Sequence, residues 1–290
     1  MFVFVNDAPV YHLWTPDQVR SAAVFSSPHS GRDYSAAFLE RSRLDPLTIR
    51  SSEDAFVDRL FFPAVSAGAP LIASTAPRAF IDLNRGQEEL DPAVVSGVKA
   101  TGLNPRVAAG LGVIPRIVAE GQPIYNGKIS RTEAVQRIAQ FHRPYHATLD
   151  ALLTSAAEKF GFSVVFDCHS MPTDALRAAP RIKGVRADIV LGDRFGASAG
   201  RDIMAATRAA FVSAGFTVAS NAPFAGGHIT QKYGLPSRRR HAIQIEIDRG
   251  LYLDSKTISL SDSYSDFARA LGEVIPALAS IGQISSLAAE

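Results

Sequence analysis

Two short segments constrain this chain more than anything else in it. Val24-Phe-Ser-Ser-Pro-His-Ser-Gly31 and Val164-Val-Phe-Asp-Cys-His-Ser-Met-Pro172 each begin as an apolar, β-branched and aromatic run, which reads as a buried strand. Each then meets a histidine, followed by small residues and a turn former. Two strands of one sheet can therefore bring His29 and His169 to the same edge. Open α/β sheets hold their ligands beyond the carboxyl ends of the strands, and neutral imidazole is the commonest metal ligand. One such histidine reads as a polar cap on a strand. Two in matching settings bring metal binding level with that reading.

The rest of the composition leaves room for such a site and closes other routes. A chain of 290 residues with 47% hydrophobic residues can bury a substantial core, and one large α/β domain spanning 1–290 accommodates it. A net charge of +2 argues against nucleic acid or an anionic membrane as the main partner. No apolar stretch approaches the ~20 residues that span a bilayer. The start, Met1-Phe-Val-Phe-Val-Asn-Asp-Ala-Pro9, lacks a basic segment and a long apolar one, so no signal peptide is expected. Cys168 is the single cysteine, which excludes an internal disulfide. These features fit a cytoplasmic protein; they leave the oligomeric state open.

Strand-like and helix-like stretches alternate, as in α/β proteins. Strands are expected at 22–27, 70–75, 79–83, 162–167, 187–192, 216–220 and 241–247. Helices are expected at 54–67, 131–160, 198–214 and 264–280. The second of these opens on a Ser130/Glu133 capping box, carries Ile138, Phe141, Tyr145, Leu149 and Leu152 at helical spacing, should kink at Pro144 and closes on Gly161. Residues 84–130, rich in Gly and Pro, form a long excursion, and such loops in a compact domain are usually functional.

A catalytic zinc needs three protein ligands and an open position. Glu53 and Asp54 open the expected helix at 54–67 and either is a candidate third ligand, although acidic residues at a helix start also serve the dipole. Strand alternation puts Asp167 on the face of His169, where it can orient that ligand, and turns Cys168 to the other side as a small buried residue. Asp82, Asn84 and Arg85 leave the expected strand 79–83, where an arginine fork with asparagine support suits a carboxylate. Arg116 is a weaker candidate for the same task or for an oxyanion. In Ala242-Ile-Gln-Ile-Glu-Ile-Asp248, Gln244, Glu246 and Asp248 share one face, and a buried Glu246 would have its pKa raised toward that of a general base. Gly196-Ala-Ser-Ala-Gly200 matches a serine-hydrolase elbow, but Ser198 stands too far from the preceding strand and reads as a helix N-cap. Arg238-Arg-Arg-His241 reads as a solvated loop.

Taken in order, Ser27-Pro-His-Ser-Gly31, Glu53-Asp-Ala-Phe-Val-Asp-Arg-Leu60, Asp82-Leu-Asn-Arg85, Asp167-Cys-His-Ser-Met-Pro172, Leu191-Gly-Asp-Arg194, Gly226-Gly-His-Ile-Thr-Gln-Lys-Tyr-Gly234 and the strand of Glu246 resemble the N-formylglutamate amidohydrolase family, over roughly 22–255. The resemblance implies a three-layer α/β/α fold with a mixed, mostly parallel sheet, like that of zinc carboxypeptidases. It implies Zn2+ on His29, Asp54 and His169, favouring Asp54 over Glu53. It also implies Glu246 as general base, Asn84 and Arg85 as binders of the substrate carboxylate, and Tyr233 reaching the site from a mobile loop. The expected activity is hydrolysis of an N-formyl or N-acyl amino acid. His228 stands where the family pattern suggests tyrosine and Gln231 where it suggests arginine, which bears on the substrate more than on the metal. The alternatives are a serine hydrolase using Ser198 and a metal-containing binding module without turnover.

Overall fold

The structure, a computed structural model, describes residues 9–99 and 104–281; the segment read for a signal peptide lies almost wholly outside them. Its centre is a seven-stranded sheet of β1 (Tyr11–Trp14), β2 (Ala23–Ser27), β3 (Leu71–Ser74), β4 (Ser163–Met171), β5 (Ile189–Gly192), β6 (Val218–Ser220) and β7 (Arg240–Asp248), in the order β1-β3-β2-β4-β7-β5-β6. The core strands β3, β2, β4 and β7 run parallel, β5 is antiparallel to β7, β6 is parallel to β5, and β1 is antiparallel to β3. The mixed, mostly parallel α/β sheet expected from the sequence is thus observed.

The helices are α1 (Ala36–Arg41), α2 (Val57–Leu60), α3 (Pro63–Ser66), α4 (Pro105–Ala108), α5 (Arg131–Arg137), α6 (Arg143–Phe160), α7 (Arg201–Ser213), α8 (His228–Tyr233) and α9 (Tyr264–Ala279). They cover both faces of the sheet. Phe25, Phe166, Cys168, Ile243 and Ile245 pack toward α2, α3, α7 and α9; Val24, Val165 and Ala242 pack toward α6 and α8. The strands read as unbroken apolar runs because neither face meets water.

Four expectations need correction. Residues 79–83 form a turn, not a strand: Phe80 and Ile81 donate backbone N–H to Pro77 O, and Arg137 clamps the turn by stacking 3.9 Å over the Phe80 ring and donating to Phe80 O. Its apolar residues fill a core, which periodicity alone does not distinguish from a strand. The helix at 54–67 is instead the two short helices α2 and α3, because Phe56 takes a left-handed conformation at φ 63° and Pro63 restarts the chain. β4 continues to Met171, so His169 sits inside a strand. Ser198 precedes α7 and caps nothing: its buried Oγ donates to Ala242 O at 2.8 Å, while Gly200 holds the N-cap position.

The long helix at 131–160 starts as expected, with Ser130 Oγ accepting from Glu133 N, but its middle is a π-turn, Ile138–His142. Pro144 follows directly, and the wider turn makes room for a ring that lacks an N–H. In the basic run, Arg240 already belongs to β7 and pairs with Asp150 at 2.9 Å.

Candidate metal centre and active site

The site grows from the register of two parallel strands. β4 and β7 pair over nine residues, setting Asp167 beside Gln244, His169 beside Glu246 and Met171 beside Asp248. Alternation puts this polar row on one face and Cys168 and Ile245 in the apolar core behind it. On the neighbouring strand, β2 ends at Ser27 and the chain turns through Pro28 to His29. That turn sits hard against the loop after β3, since a Cβ on Gly31 would overlap the carbonyl of Ala76. Asp54 closes the arrangement, its N–H donating to His29 O at 3.0 Å.

His29, Asp54 and His169 meet, each offering a ligand atom within 4.8 Å of the other two. Asp54 Oδ2 lies 2.8 Å from His169 Nδ1 and 3.3 Å from His29 Nδ1. His29 Nδ1 is buried and makes no hydrogen bond. The far ring nitrogen of each histidine faces a carboxylate: His29 Nε2 lies 2.7 Å from Asp82 Oδ1, and His169 Nε2 lies 3.0 Å from Asp167 Oδ1. A second carboxylate behind a histidine fixes ring orientation and tautomer, the usual support for a metal ligand. The donor set of two imidazoles and a carboxylate, with one nitrogen buried and unpaired, fits zinc.

Charge is concentrated here. Burial disfavours the charged form of Asp54, yet the hydrogen bond from His169 and the nearby His29 imidazole hold its carboxyl well below the usual range. Asp82 is held low in the same way by His29 and Arg78, against its burial. Asp167 and Asp54 push His169 well above the usual histidine value, again against burial. Glu246 behaves oppositely: burial pushes it up to about 7, with His169 opposing, and Gln244 donates to its Oε1 at 2.7 Å.

His29, Asp54, Asp82, His169, Gln244 and Glu246 line a cavity of about 350 Å³ together with Arg78, Arg85, Arg106 and Arg249, a size suited to a small molecule. Its outer wall comes from the 84–130 excursion, through Leu111, Pro115, Ile117 and Val118. Arg249 donates to Asp54 Oδ1 at 2.9 Å and Arg78 to Asp82 Oδ2 at 3.0 Å. Arg85 is buried, its Nε makes no hydrogen bond, and Asp82 is 4.0 Å away; burial lowers its pKa, with Asp82 opposing. Sequence reasoning missed Arg78 and Arg249. Arg249 directly follows β7, and Arg78 comes four residues after the end of β3, so both lie close to the carboxyl end of a core strand.

Other candidates fall elsewhere. Glu53 is neutralised outside the cavity, its carboxylate accepting from Arg50 at 3.0 Å and Tyr34 at 2.7 Å. Asn84 borders the cavity, but its amide donates to Asp167 Oδ2 at 2.8 Å and accepts from Ile229 N at 2.7 Å. Gly227 lets α8 approach it, since a Cβ there would lie 2.6 Å from Asn84 Nδ2. Arg116 does not join the site: it pairs with Asp91 at 2.8 Å and donates to Ala108 O. Tyr233 is also absent from the cavity, its hydroxyl donating to His146 O at 3.0 Å. Ser198 lies under β7 with no base beside its Oγ, since His241 Nδ1 accepts from Gly200 N, and the serine-hydrolase alternative falls with it.

Comparison with known proteins gives the family. Residues 21–253 match the sequence profile of N-formylglutamate amidohydrolase. The chain belongs to the N-formylglutamate amidohydrolase family. An N-formylglutamate deformylase from Pseudomonas putida is 31% identical over 247 residues, covering 82% of this chain and 84% of the relative. One from Pseudomonas aeruginosa is 28% identical over 241 residues, with the same coverage of 82% and 84%. Among solved structures, the N-formylglutamate amidohydrolase from Ralstonia eutropha JMP134 superposes with a TM-score of 0.87 at 32% identity, covering 95% of this chain and 99% of that one. The gene product Atu2144 from Agrobacterium tumefaciens shares the fold, with a TM-score of 0.58 at 17% identity over 98% of this chain and 97% of that one.

Ser198→Ala removes one buried hydrogen bond to β7. It should lower unfolding free energy by about 1 kcal/mol in urea denaturation and leave this family's hydrolytic activity within a few-fold of wild type. A folded but inactive variant would contradict the site described here.

Proposed function

We propose that this chain is a zinc-dependent amidohydrolase, its single domain resembling zinc carboxypeptidases, that converts N-formyl-L-glutamate and water to formate and L-glutamate. The observation that carries the reading is one cavity holding both the His29–Asp54–His169 cluster, with Glu246 beside it, and a buried guanidinium, Arg85, whose Nε makes no hydrogen bond. The family membership and the names of the relatives support the substrate. The mixed imidazole–carboxylate donor set supports zinc.

His29, Asp54 and His169 would hold the ion, whose chemistry is Lewis-acid polarisation of the acyl carbonyl and acidification of water. Asp82 and Asp167 keep the two imidazoles oriented, and Asn84 in turn holds Asp167. We assign Asn84 to this positioning task, because its amide is already engaged. Glu246, raised to about 7, accepts a proton from the attacking water and returns it to the leaving nitrogen as the C–N bond breaks. Arg85 takes the substrate carboxylate, and the exposed Arg106 at the same cavity suits the second carboxylate of an acidic amino acid. Arg78 and Arg249 are committed to Asp82 and Asp54 and hold the cluster together.

The decisive assay is release of formate and glutamate from N-formyl-L-glutamate, alongside neutral and basic N-formyl amino acids. Chelation should abolish release and Zn2+ restore it. Metal-loaded protein that hydrolyses none of these substrates would leave the binding-module alternative as the better account. Glu246→Gln should keep its fold and metal yet lose on the order of 10²-fold or more in kcat. A base must be deprotonated to act, so wild-type kcat/KM should fall as pH drops through the Glu246 pKa. That midpoint lies at or below about 7, because a cation beside the carboxylate favours its charged form. The acidic limb should vanish in the Gln variant. Arg85→Ala should raise KM with kcat little changed, provided the carboxylate is held equally in ground and transition states; an unchanged KM would remove Arg85 from substrate binding.

A further inference from the structure

A second cluster of chemistry-bearing side chains lies behind the 83–86 segment, away from the cavity. His142 and His146 stand four residues apart at the junction of the π-turn and α6, so they share one helix face, with ring centroids 4.2 Å apart. His228 opens α8 and faces both, its ring 5.4 Å from His146 and 6.1 Å from His142. Each of the three offers a ring nitrogen within 4.8 Å of the other two. We propose that His142, His146 and His228 form a second divalent transition-metal site, separate from the His29–Asp54–His169 centre.

Three features distinguish this cluster from core histidines satisfied by the fold. First, the far nitrogens are already held: His142 Nε2 donates to Arg85 O and His146 Nε2 to Leu83 O, both at 2.8 Å. Backbone carbonyls behind imidazoles fix the tautomer and leave Nδ1 as the lone-pair donor. Second, His142 Nδ1 makes no hydrogen bond among the described residues, and His146 Nδ1 has only the Tyr233 hydroxyl at 2.9 Å. That hydroxyl has an alternative acceptor in His146 O at 3.0 Å, so the ring nitrogen can be released to a metal. Third, burial keeps the imidazoles neutral, pushing His142 down to about 4 and His146 and His228 below their ordinary value. Neutral imidazole is the ligating form, so metal uptake at neutral pH displaces no proton from the cluster.

Three imidazoles suit Zn2+, Co2+, Ni2+ or Cu2+ rather than Mg2+ or Ca2+. Tetrahedral zinc bonds of 2.0–2.1 Å separate ligand nitrogens by about 3.3 Å. The cluster must therefore tighten by up to roughly 1.5 Å, which rotation of the half-buried His228 can supply. Lys232 on α8 faces the three histidines and weakens the site, Arg143 and Arg240 add positive charge at the adjoining cavity, and Asp150 on α6, paired with Arg240, compensates in part. A cavity lined by His142, His146, Asp150 and Lys232 supplies the entry path. A metal there would join α8 to α6 across the segment that carries Asn84 and Arg85 into the first cavity.

The test compares metal content in variants differing only at His228, a position whose replacement spares the buried pair. The full chain is stripped with chelator, dialysed to equilibrium against micromolar free Zn2+, and its zinc counted by mass spectrometry. Wild type should hold one equivalent more than His228→Ala or His228→Asn, both folded by near-ultraviolet circular dichroism. The same difference should persist in a His29→Ala/His169→Ala background, so failure of the first centre is read separately. Co2+ substitution should give visible d–d absorption in that background, lost on adding His228→Ala. Equal metal content with and without His228 would overturn the proposal.

Discussion

The in-register, parallel pairing of β4 with β7 is the constraint on which the rest of the site depends. It runs over nine residues, from Ser163–Arg240 to Met171–Asp248, and fixes His169 next to Glu246 and Asp167 next to Gln244. A slip of one residue would turn Glu246 into the apolar core and bring Ile245 or Ile247 to the cavity. The alternation that buries Phe166, Cys168, Ile243 and Ile245 on one face is therefore the same alternation that collects Asp167, His169 and Glu246 on the other. Packing energy on the core side holds the register of the chemistry on the other.

Burying that polar row is costly, and the structure offsets the cost by pairing. Asp54, Asp82 and Asp167 are buried within one network, joined by His29, His169, Arg78 and Arg249, and Glu246 is buried beside it with Gln244 donating to it. Replacing such a network with well-packed apolar residues is often neutral or stabilising, so stability alone does not explain its presence. Glu246 is the member least well compensated, and its raised pKa follows from that position. Among the cavity's arginines, the buried Arg85 Nε makes no hydrogen bond. The proposed chemistry uses Glu246, Arg85 and the unpaired His29 Nδ1, three groups at the cavity that the fold leaves without full compensation.

Much of this arrangement was legible in the sequence, and the failures have physical causes. The strand–histidine segments marked both imidazoles, and alternation marked Asp167 and Glu246. The end of β4 was misread because Asp167-Cys-His-Ser looks like a polar exit, whereas β7 continues to Asp248 and keeps the ladder going to Met171. Residues 79–83 were misread as a strand because a turn clamped by Arg137 buries its apolar residues as a strand would. Spacing left Glu53 and Asp54 equivalent. What separates them is long range: Tyr34 and Arg50 occupy Glu53, while His29 and His169 surround Asp54. Arg116 was drawn away by Asp91, and Tyr233 by His146, through contacts that no local pattern reveals. The family resemblance marked Asp54 and the Glu246 strand, but it did not mark the π-turn that sets His142 over His146.

The proposed metal sits among His29, Asp54 and His169, with Glu246 beside it and free to act as a base. Anomalous diffraction at the zinc edge, from crystals of the zinc-loaded chain, tests this placement most directly. A peak is expected in the cavity bounded by Nδ1 of His29, Nδ1 of His169 and the Asp54 carboxylate, with Glu53 outside it and Glu246 not ligating. A cavity without an anomalous peak, or a peak held by Glu246 in place of Asp54, would contradict it.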